Sequence, residues 1–302
     1  MGSLVLSDVT RSFGTVAAVR GVSFDVAAGT TFGLLGPNGA GKTTTMRMIL
    51  GILVPDRGTV RWDGAPIDLR MRRRFGYLPE ERGLYGKLHV RDQIAYFGRL
   101  HGIKPPNDVR RADAWIERLA LEEYATRACG ELSKGNQQKV QIACAALHEP
   151  ELLVLDEPFS GLDPVNAEVI LAALRALQRA GTTLILSSHH MWQIEDLCER
   201  FCIIAQGEVR AAGTLAELRA AWSTRVVEVE PSTAALRAVL DATPSTHPLD
   251  TDGRPTLAYE VDIEVDTATL LRRLVAAGDV TRFARIEPSL HDIYLRAIGA
   301  VA

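Results

Sequence analysis

The sequence lacks any apolar run long enough to cross a membrane as a helix. No window approaches the roughly 18 consecutive apolar residues that such a helix needs. The N-terminus also lacks a charged segment followed by an apolar one, so it does not have the pattern of a secretory signal. We therefore expect a cytoplasmic chain that acts at a membrane only through a partner.

Cysteine pairs and a strong net charge are missing as well. The 302 residues include four cysteines, none in a CxxC pair, which favours a reducing compartment and argues against a structural metal site. The formal net charge is -3, so there is no global basic field for nucleic acid. One basic run, "RMRRRF" at residues 70–75, is typical of a solvated surface. We expect no nucleic-acid partner.

The sequence does contain an alternation of apolar strands and amphipathic helices. The segments "TTFGLLG", "ELLVLDEP" and "TTLILSS" are nearly continuous apolar runs, which indicates a largely parallel sheet covered by helices. Between residues 90 and 127 the period is helical, with a break at Pro105-Pro106. After Trp222 the pattern changes to a compact β/α unit that contains the turn-rich segment "TPSTHPLDTDGRP". We therefore predict two domains, 1–221 and 222–302.

A glycine loop follows the first of these strands. "GPNGAGKT", Gly36–Thr43, fits the pattern G-x-x-x-x-G-K-[ST] between a predicted strand and a predicted helix. Its glycines let N–H groups point at phosphate oxygens, Lys42 can reach the β- and γ-phosphates, and the Thr43 hydroxyl can bind Mg²⁺. The alternative is a tight turn before an ordinary helix. The predicted nucleotide contacts are Gly36, Pro37, Asn38, Gly39, Ala40, Gly41, Lys42, Thr43 and Thr44.

Two adjacent acids end the strand "LLVL". A strand buried on both faces has no packing reason to end in Asp156 and Glu157. Asp156 can hold Mg²⁺ through water, and Glu157 can act as the general base on the attacking water. Capping of the next helix is the alternative, and it explains one acid better than two. His189, at the tip of "TTLILSSHH", can hydrogen-bond the γ-phosphate, although a lone histidine is usually structural.

The junction "ELSKGNQQKVQ" is harder to explain from local structure. Ser133 fits as an N-cap whose hydroxyl accepts a hydrogen bond from a free N–H group of the first helical turn. That role does not account for Lys134, Gly135 and Asn136 together. The reason for this helix start has to come from the rest of the sequence.

Five features occur along the chain in this order: the glycine loop, "LSKGN", "LLVLDEP", "SGLD" and the strand-tip histidine. Together they resemble the ATP-binding subunit of ATP-binding cassette (ABC) transporters. The resemblance covers roughly Leu4 to Gly213. It implies an α/β fold: a P-loop NTPase cassette with a mixed-sheet core and a helical subdomain at about residues 82–150, followed by a small C-terminal α+β domain. It also implies ATP and Mg²⁺ as cofactors.

In that family the segment resembling "LSKGN" caps the γ-phosphate of ATP bound to the other subunit of a head-to-tail dimer. The resemblance implies that Ser133, Gly135 and Asn136 contact a partner's nucleotide, which explains a helix start poorly suited to local stability. Lys134 replaces the family's second glycine, and Asn136 replaces its glutamine. Lys134 either adds charge to the site or faces solvent.

Three further positions carry over from the resemblance. Phe13 matches the aromatic residue that stacks on adenine, with a core or edge-strand phenylalanine as the alternative. Glu80 stands where the family usually has glutamine, so it joins Thr43 and Asp156 at the metal but adds negative charge beside ATP. Asp163, in "SGLD", matches the loop that communicates between the two nucleotide sites.

The segments "YLPEERGLY" and "EPSLHDIYLRAIG" narrow the resemblance to bacterial exporters whose ATPase and membrane subunits are separate chains. The implied partners are an integral membrane permease, contacted by residues 82–129, and a second cassette, identical or different. The chain would then lie at the inner face of the cell membrane. The predicted function is ATP hydrolysis that powers substrate export by the permease, as in the sodium, antibiotic and drug efflux systems of that branch.

Two other functions are weighed against export. A soluble cassette protein that acts on ribosomes or DNA usually has two cassettes or a coiled-coil insertion, and this sequence has one cassette and no such insertion. An inactive nucleotide sensor would not need Glu157. Both are retained as alternatives to an export ATPase.

Overall fold

The computed structural model describes residues 2–81, 83–188, 191–222, 224–249 and 255–299, with only the backbone at 192 and 193. The chain divides into two compact units, Met1–Thr214 with Tyr294–Ala302, and Leu215–Ile293. This division lies ahead of Trp222, the boundary predicted from the sequence, because the short helix Leu215–Ala220 groups with the second unit.

The first unit combines strands and helices throughout its length. Its strands are β1 (Leu4–Phe13), β2 (Val16–Val26), β3 (Thr31–Leu35), β4 (Arg57–Trp62), β5 (Ala65–Pro66), β6 (Phe75–Leu78), β7 (Leu152–Leu155), β8 (Thr183–Ser187), β9 (Arg200–Ala205) and β10 (Glu208–Gly213). Its helices are α1 (Lys42–Ile49), α2 (Leu69–Arg72), α3 (Val90–Leu100), α4 (Asn107–Arg118), α5 (Lys134–Ala146), α6 (Pro164–Arg179) and α7 (Met191–Glu195). Short 3₁₀ turns stand at Glu122–Tyr124 and Cys129–Glu131.

These strands form two sheets. One has the order β10-β9-β3-β8-β7-β6, in which the neighbours from β9 to β6 run parallel and β10 is antiparallel to β9. The other is antiparallel, with the order β2-β1-β4-β5. Every residue of β3, β7 and β8 is buried, as expected for parallel strands covered on both faces. The predicted α/β fold with a mixed sheet is confirmed.

One hydrophobic core joins both sheets of the first unit to α1. In β1, Leu4 and Leu6 are buried whereas Val5 is exposed, because successive side chains of a strand point to opposite faces. The rings of Trp62 and Phe75 meet edge to face, with their centroids 5.2 Å apart. The antiparallel sheet thereby buries one face against the larger sheet and fixes the position of β3 and its glycine loop.

The parallel order brings the predicted site residues to one edge of the larger sheet. At the carboxyl ends of the strands, Leu34 of β3 pairs with Ser187 of β8, and Leu155 of β7 pairs with Leu186 of β8. The glycine loop leaves β3 at this edge, and Asp156 follows β7. Ligands of open parallel sheets bind at the carboxyl edge.

Helices α3, α4 and α5 pack together beside the sheets. The helical period predicted between residues 90 and 127 corresponds to α3 and α4, and the Pro105-Pro106 break lies between them. The Arg99 guanidinium donates a 2.9 Å hydrogen bond to Oδ2 of the fully buried Asp108, which ties α3 to α4. No helix in the described parts of the chain is both long and apolar enough to span a membrane.

The second unit begins with α8 (Leu215–Ala220). It continues with β11 (Thr224–Glu230), α9 (Ala234–Asp241), β12 (Thr246–Leu249), β13 (Leu257–Asp262), α10 (Thr267–Ala277) and β14 (Arg282–Ile286). The strands pair antiparallel in the order β12-β13-β11-β14, which is the ferredoxin-like arrangement of two βαβ repeats. The side chains of Val227, Leu236, Leu257 and Leu274 lie in its core. The predicted α+β character is confirmed.

One strand of this unit was not predicted. β12 lies inside the segment "TPSTHPLDTDGRP", whose composition favours turns. It contains Pro248, which lacks an N–H group and is therefore tolerated in a strand only at the edge of a sheet or in a bulge. β12 is at the edge of this sheet, next to β13 alone. The last helix, α11 (Leu290–Ala297), crosses the division between the two units at residues 293 and 294.

Candidate nucleotide-binding site

The loop between β3 and α1 requires glycine at two positions. A Cβ atom at Gly36 would collide with the carbonyl oxygen of Ile204, and one at Gly41 would collide with the carbonyl oxygen of Ala18. Gly41 also has a φ of 104°, which side chains disfavour. The loop is therefore held close against neighbouring backbone and turns directly into α1, whose N-terminal N–H groups favour an anion such as phosphate. An ordinary tight turn does not need this close approach.

Lys42, in the first turn of α1, folds back over the loop. Its Nζ donates hydrogen bonds to the carbonyl oxygens of Gly36 at 2.6 Å and Pro37 at 3.1 Å. The residue is buried, and this burial lowers the pKa of the ammonium group, whereas the carboxylates of Glu157 and Asp156 act to raise it. A cation at this position, surrounded by carboxylates and loop carbonyls, is suited to exchange those partners for phosphate oxygens.

A chain of hydrogen bonds connects the glycine loop to the carboxylate pair. The Thr43 hydroxyl donates to Oδ2 of Asp156 at 2.7 Å, and the Ser187 hydroxyl donates to Oδ1 of the same carboxylate at 2.6 Å. The Ser187 oxygen also accepts from the backbone N–H of Glu157 at 2.9 Å. Asp156 is only 1% exposed, so both of its oxygens are satisfied by buried hydroxyl groups.

Glu157 has an unusual backbone. Its φ is 52°, in the left-handed region that residues other than glycine rarely adopt, and such strain concentrates at functional sites. The residue is 7% exposed. Capping of the next helix does not explain it, because α6 begins at Pro164 and is capped by Asp163, whose Oδ1 accepts from Asn166 N–H at 2.9 Å. The backbone N–H and the side-chain amide of Asn166 both donate hydrogen bonds to the Asp163 carboxylate, and these hydrogen bonds lower the pKa of Asp163.

A cleft of about 600 Å³ brings the predicted residues together. A volume of this order fits a small-molecule ligand. Of the described residues, it is lined by Phe13, Ala18, Gly36, Pro37, Asn38, Gly39, Ala40, Gly41, Lys42, Thr43, Thr44, Glu80, Asp156, Glu157, Ser160 and Tyr294. Four residues of this region were not predicted from the sequence: Ala18, Ser160 and Tyr294, which line the cleft, and Ser187 behind Asp156. Only Ser187 had a signal in the sequence, because it ends an apolar strand next to the predicted site.

Phe13 lies at the end of β1 and lines this cleft. Its side chain is 47% exposed, and the Arg11 guanidinium lies 5.1 Å from the centroid of its ring. The exposure does not fit a core phenylalanine, and β1 is not an edge strand because it pairs with both β2 and β4. An exposed aromatic face at the cleft is suited to stack on a planar base.

The residues of "LSKGN" lie elsewhere. Ser133 caps α5, as predicted, and its Oγ accepts from Asn136 N–H at 3.3 Å. A Cβ atom at Gly135 would be 3.4 Å from Leu162, so this helix start lies beside the "SGLD" loop. Ser133, Gly135, Asn136 and Asp163 are not among the described residues that line the cleft. His189 falls outside the described residues, as does His190.

Two family models and a similar protein of known sequence identify the family to which this chain belongs. A family model described as "ABC transporter" matches residues 19–160, and one described as "ATP-binding protein DrrA1-3-like, C-terminal domain" matches residues 213–298. The chain is 42% identical over 299 residues to the ABC transporter ATP-binding protein YhaQ of Bacillus subtilis (strain 168), with 99% of each sequence covered. The chain therefore belongs to the ATP-binding proteins of ABC transporters, and it is an ATPase subunit.

Two further similarities agree with this result. The chain is 37% identical to "Nod factor export ATP-binding protein I" of Paraburkholderia xenovorans (strain LB400), with 96% of this chain and 95% of the relative covered. A solved structure of an ATP-binding subunit of an ABC transporter superposes with a TM-score of 0.67 at 33% identity, over 72% of this chain and 92% of the other. The predicted family and the ABC cassette fold are confirmed, and the alternatives outside transport are not favoured.

Proposed function

We propose that the cleft at the carboxyl edge of the sheet binds and hydrolyses Mg²⁺-ATP, and that the chain thereby powers export through a separate membrane permease. The observation that carries this proposal is the hydrogen-bonded chain from Thr43 through Asp156 and Ser187 to Glu157. It places an acid beside the loop that holds phosphate, in a cleft of suitable size. The reaction is phosphoryl transfer to water, promoted mainly by positioning and charge.

Glu157 is the proposed general base. It lies in the cleft with the glycine loop, and the hydrogen bond from its N–H to Ser187 fixes its backbone. A buried carboxylate in the cleft is suited to accept a proton from water that attacks the γ-phosphate. Lys42 balances the negative charge of the phosphates by exchanging the carbonyl oxygens of Gly36 and Pro37 for phosphate oxygens. His189 is the second proposed contact to the γ-phosphate.

Thr43, Asp156 and Glu80 are the proposed metal ligands. A hydroxyl and carboxylates are the oxygen donors that Mg²⁺ prefers, and all three residues line the cleft. The hydrogen bond between Thr43 and Asp156 already brings two of these oxygens together. Bound Mg²⁺ would neutralise phosphate charge, which also compensates for the negative Glu80 in place of a neutral glutamine.

The nucleotide site is proposed to be completed by a second cassette. Phe13 and residues 36–44 line the cleft and would hold the adenine and phosphates of ATP in one chain. Ser133, Gly135 and Asn136, at the start of α5, would contact the γ-phosphate of ATP bound to the partner. Asp163 belongs to the "SGLD" loop, and a Cβ atom at Gly135 would lie 3.4 Å from Leu162 of the same loop. This proximity within one chain links the two elements that would face the partner.

Export through a permease is proposed from two observations. A relative of nearly the same length is named for Nod factor export. The described helices do not include one that could span a membrane, so a separate permease would supply the path. Residues 82–129, which contain α3 and α4, are the proposed contact with that permease at the inner face of the membrane. Residues 222–302 are proposed as an accessory domain, in agreement with the DrrA-like family match.

The concentration dependence of ATP hydrolysis tests this function. Specific activity of the purified chain should rise steeply with concentration, because the complete site needs two chains. Glu157→Gln should be inactive at every concentration. Equal activity of the variant and the wild type would reject Glu157 as the base, and low activity that does not depend on concentration would reject a site built from two copies. Addition of the co-expressed permease then tests whether a different partner completes the site.

A further inference from the structure

Tyr294 is a cleft residue that the proposed ATP site does not use. It belongs to α11, and the compact unit that contains the glycine loop also contains residues 294–299 of the described chain. Its side chain lines the same cleft as Glu157, Lys42 and Phe13. The nucleotide contacts predicted from the sequence all lie between Phe13 and His189, more than a hundred positions before Tyr294.

The surroundings of Tyr294 keep its hydroxyl group protonated. The side chain is half-buried, and burial is the main cause that raises the pKa of the phenol. The negative charge of Glu157 raises this pKa further. A neutral phenol at neutral pH has one O–H group to donate, and a phosphate oxygen is a strong acceptor. Tyr294 lines the cleft together with Glu157 and Lys42, the two residues proposed to act at the γ-phosphate.

We propose that Tyr294 is a nucleotide-binding residue that donates its O–H to the phosphate end of ATP bound in the cleft of its own chain. A ligand that fills the cleft has to contact the side chains that line it, and Tyr294 is one of them. The inference rests on the proposed nucleotide site and adds a contact from the C-terminal part of the chain. Tyr294 acts in binding, and Glu157 remains the base.

The contact also couples the C-terminal helix to the nucleotide. Because binding energies are reciprocal, a side chain that stabilises bound ATP is itself stabilised when ATP binds. ATP should therefore raise the melting temperature of the wild type by more than that of a variant without the contact. A tyrosine that only supports the fold would change the melting temperature without nucleotide instead, and would leave the ATP-induced rise intact.

The test compares Tyr294→Ala, Tyr294→Phe and the wild type in their affinity for a fluorescent ATP analogue in the presence of Mg²⁺. His291→Ala is the matched control, since His291 is exposed and lies three positions earlier on the same helix. Tyr294→Ala should weaken affinity about three- to tenfold, as expected for a lost hydrogen bond. Tyr294→Phe keeps the ring and removes only the O–H. Its loss of affinity should be at least half as large, in fold, as that of Tyr294→Ala.

Two results would overturn the proposal. Unchanged or tighter binding by Tyr294→Ala would show that the side chain does not contact the nucleotide, and wild-type affinity in Tyr294→Phe would show that the O–H is not donated to it. Lys42→Ala, measured in parallel, separates these failures from failure of the site itself. If Lys42→Ala binds as well as the wild type, the proposed nucleotide site is wrong; if it loses binding while Tyr294→Ala does not, only the role of Tyr294 is rejected.

Discussion

The hydroxyl of Thr43 donates a 2.7 Å hydrogen bond to Oδ2 of Asp156, a residue 113 positions away in the sequence. Thr43 is in the first turn of α1, and Asp156 follows the buried strand β7. The parallel sheet brings these two positions together because β3 and β7 end at the same edge. The relationship connects the loop that holds phosphate with the acids that serve the reaction.

Replacement of Glu157 by glutamine should separate binding from hydrolysis. Glutamine has nearly the same shape but cannot accept the proton of the attacking water, so turnover should fall about 10²- to 10⁴-fold. ATP affinity should stay within about twofold of the wild type, since the variant keeps the cleft intact. Steady-state hydrolysis and equilibrium binding of ATP measure the two effects. Turnover that is unchanged would remove Glu157 as the base.

Lys42→Ala should weaken ATP binding. The variant removes the cation that is buried among the loop carbonyls and carboxylates, and charge-assisted hydrogen bonds contribute about 1.5–3 kcal/mol each. We expect affinity to fall about tenfold or more, measured by isothermal titration. Lys87→Ala, at an exposed position, controls for the loss of one positive charge. If both variants bind ATP equally well, the glycine loop does not hold the phosphates.

Ser187→Ala tests a residue that the sequence analysis did not identify. The change removes the hydroxyl that donates to Asp156 and accepts from Glu157 N–H, so both acids lose a fixed partner. Loss of such a supporting hydrogen bond typically lowers activity about 10- to 100-fold. We expect the fall in kcat, with Ser232→Ala as an exposed serine control. An unchanged kcat in a folded Ser187→Ala variant would show that this hydrogen-bond chain is not needed.

A partly buried histidine should make the stability of the chain depend on pH. His148 stacks on His101 with ring centroids 3.8 Å apart, and its Nε2 lies 3.1 Å from the carbonyl oxygen of Phe75. Burial, followed by the neighbouring His101, lowers the pKa of His148 to about 4. Between pH 6.5 and 4 the unfolded chain therefore binds a proton that the folded chain does not. This group is expected to reduce stability by up to about 3 kcal/mol as pH falls through that range.

Thermal unfolding of His148→Gln between pH 7 and 4.5 measures this effect. The variant lacks the titrating group, so its melting temperature should fall less with decreasing pH than that of the wild type. His247→Gln, at an exposed position, provides the control. Parallel curves for His148→Gln and the wild type would show that protonation of His148 does not limit stability in acid.

Most of the fold could be predicted because its strongest signals are local. The apolar strands β3, β7 and β8 are buried at every position. A glycine follows β3 directly, and an acidic residue follows β7 directly. The strand β12 was missed because Pro248 and its neighbours favour turns, whereas the edge of the sheet tolerates proline. Its existence depends on pairing with β13, which is not encoded in the segment alone.

The candidate site shows the same limit. The glycine loop could be found because its glycines, lysine and threonine have the spacing of a phosphate-binding loop and follow an apolar strand. Asp156 and Glu157 could be found because a buried apolar strand does not normally end in two acids. Ser187 takes its role from a hydrogen bond to a residue 31 positions away, and Tyr294 lies far from every motif. Ser187 is marked only by its place at the end of an apolar strand, and Tyr294 is marked by no local pattern, so the folded chain is needed to assign their roles.

The central claim is that each ATP site is built from two chains, and mixing two inactive variants tests it most directly. Lys42→Ala removes the phosphate contact of one chain, and Ser133→Arg blocks the residue proposed to reach the partner's ATP. Each variant alone should be inactive. In a mixed dimer, one site combines the intact Lys42 of one chain with the intact Ser133 of the other.

An equal mixture of the two variants should therefore recover up to about a quarter of wild-type hydrolysis, since half of randomly formed dimers are mixed and each has one intact site. If Ser133 instead acts on the ATP of its own chain, every site in the mixture carries one of the two defects. Hydrolysis that stays at the level of the separate variants would then contradict the two-chain site.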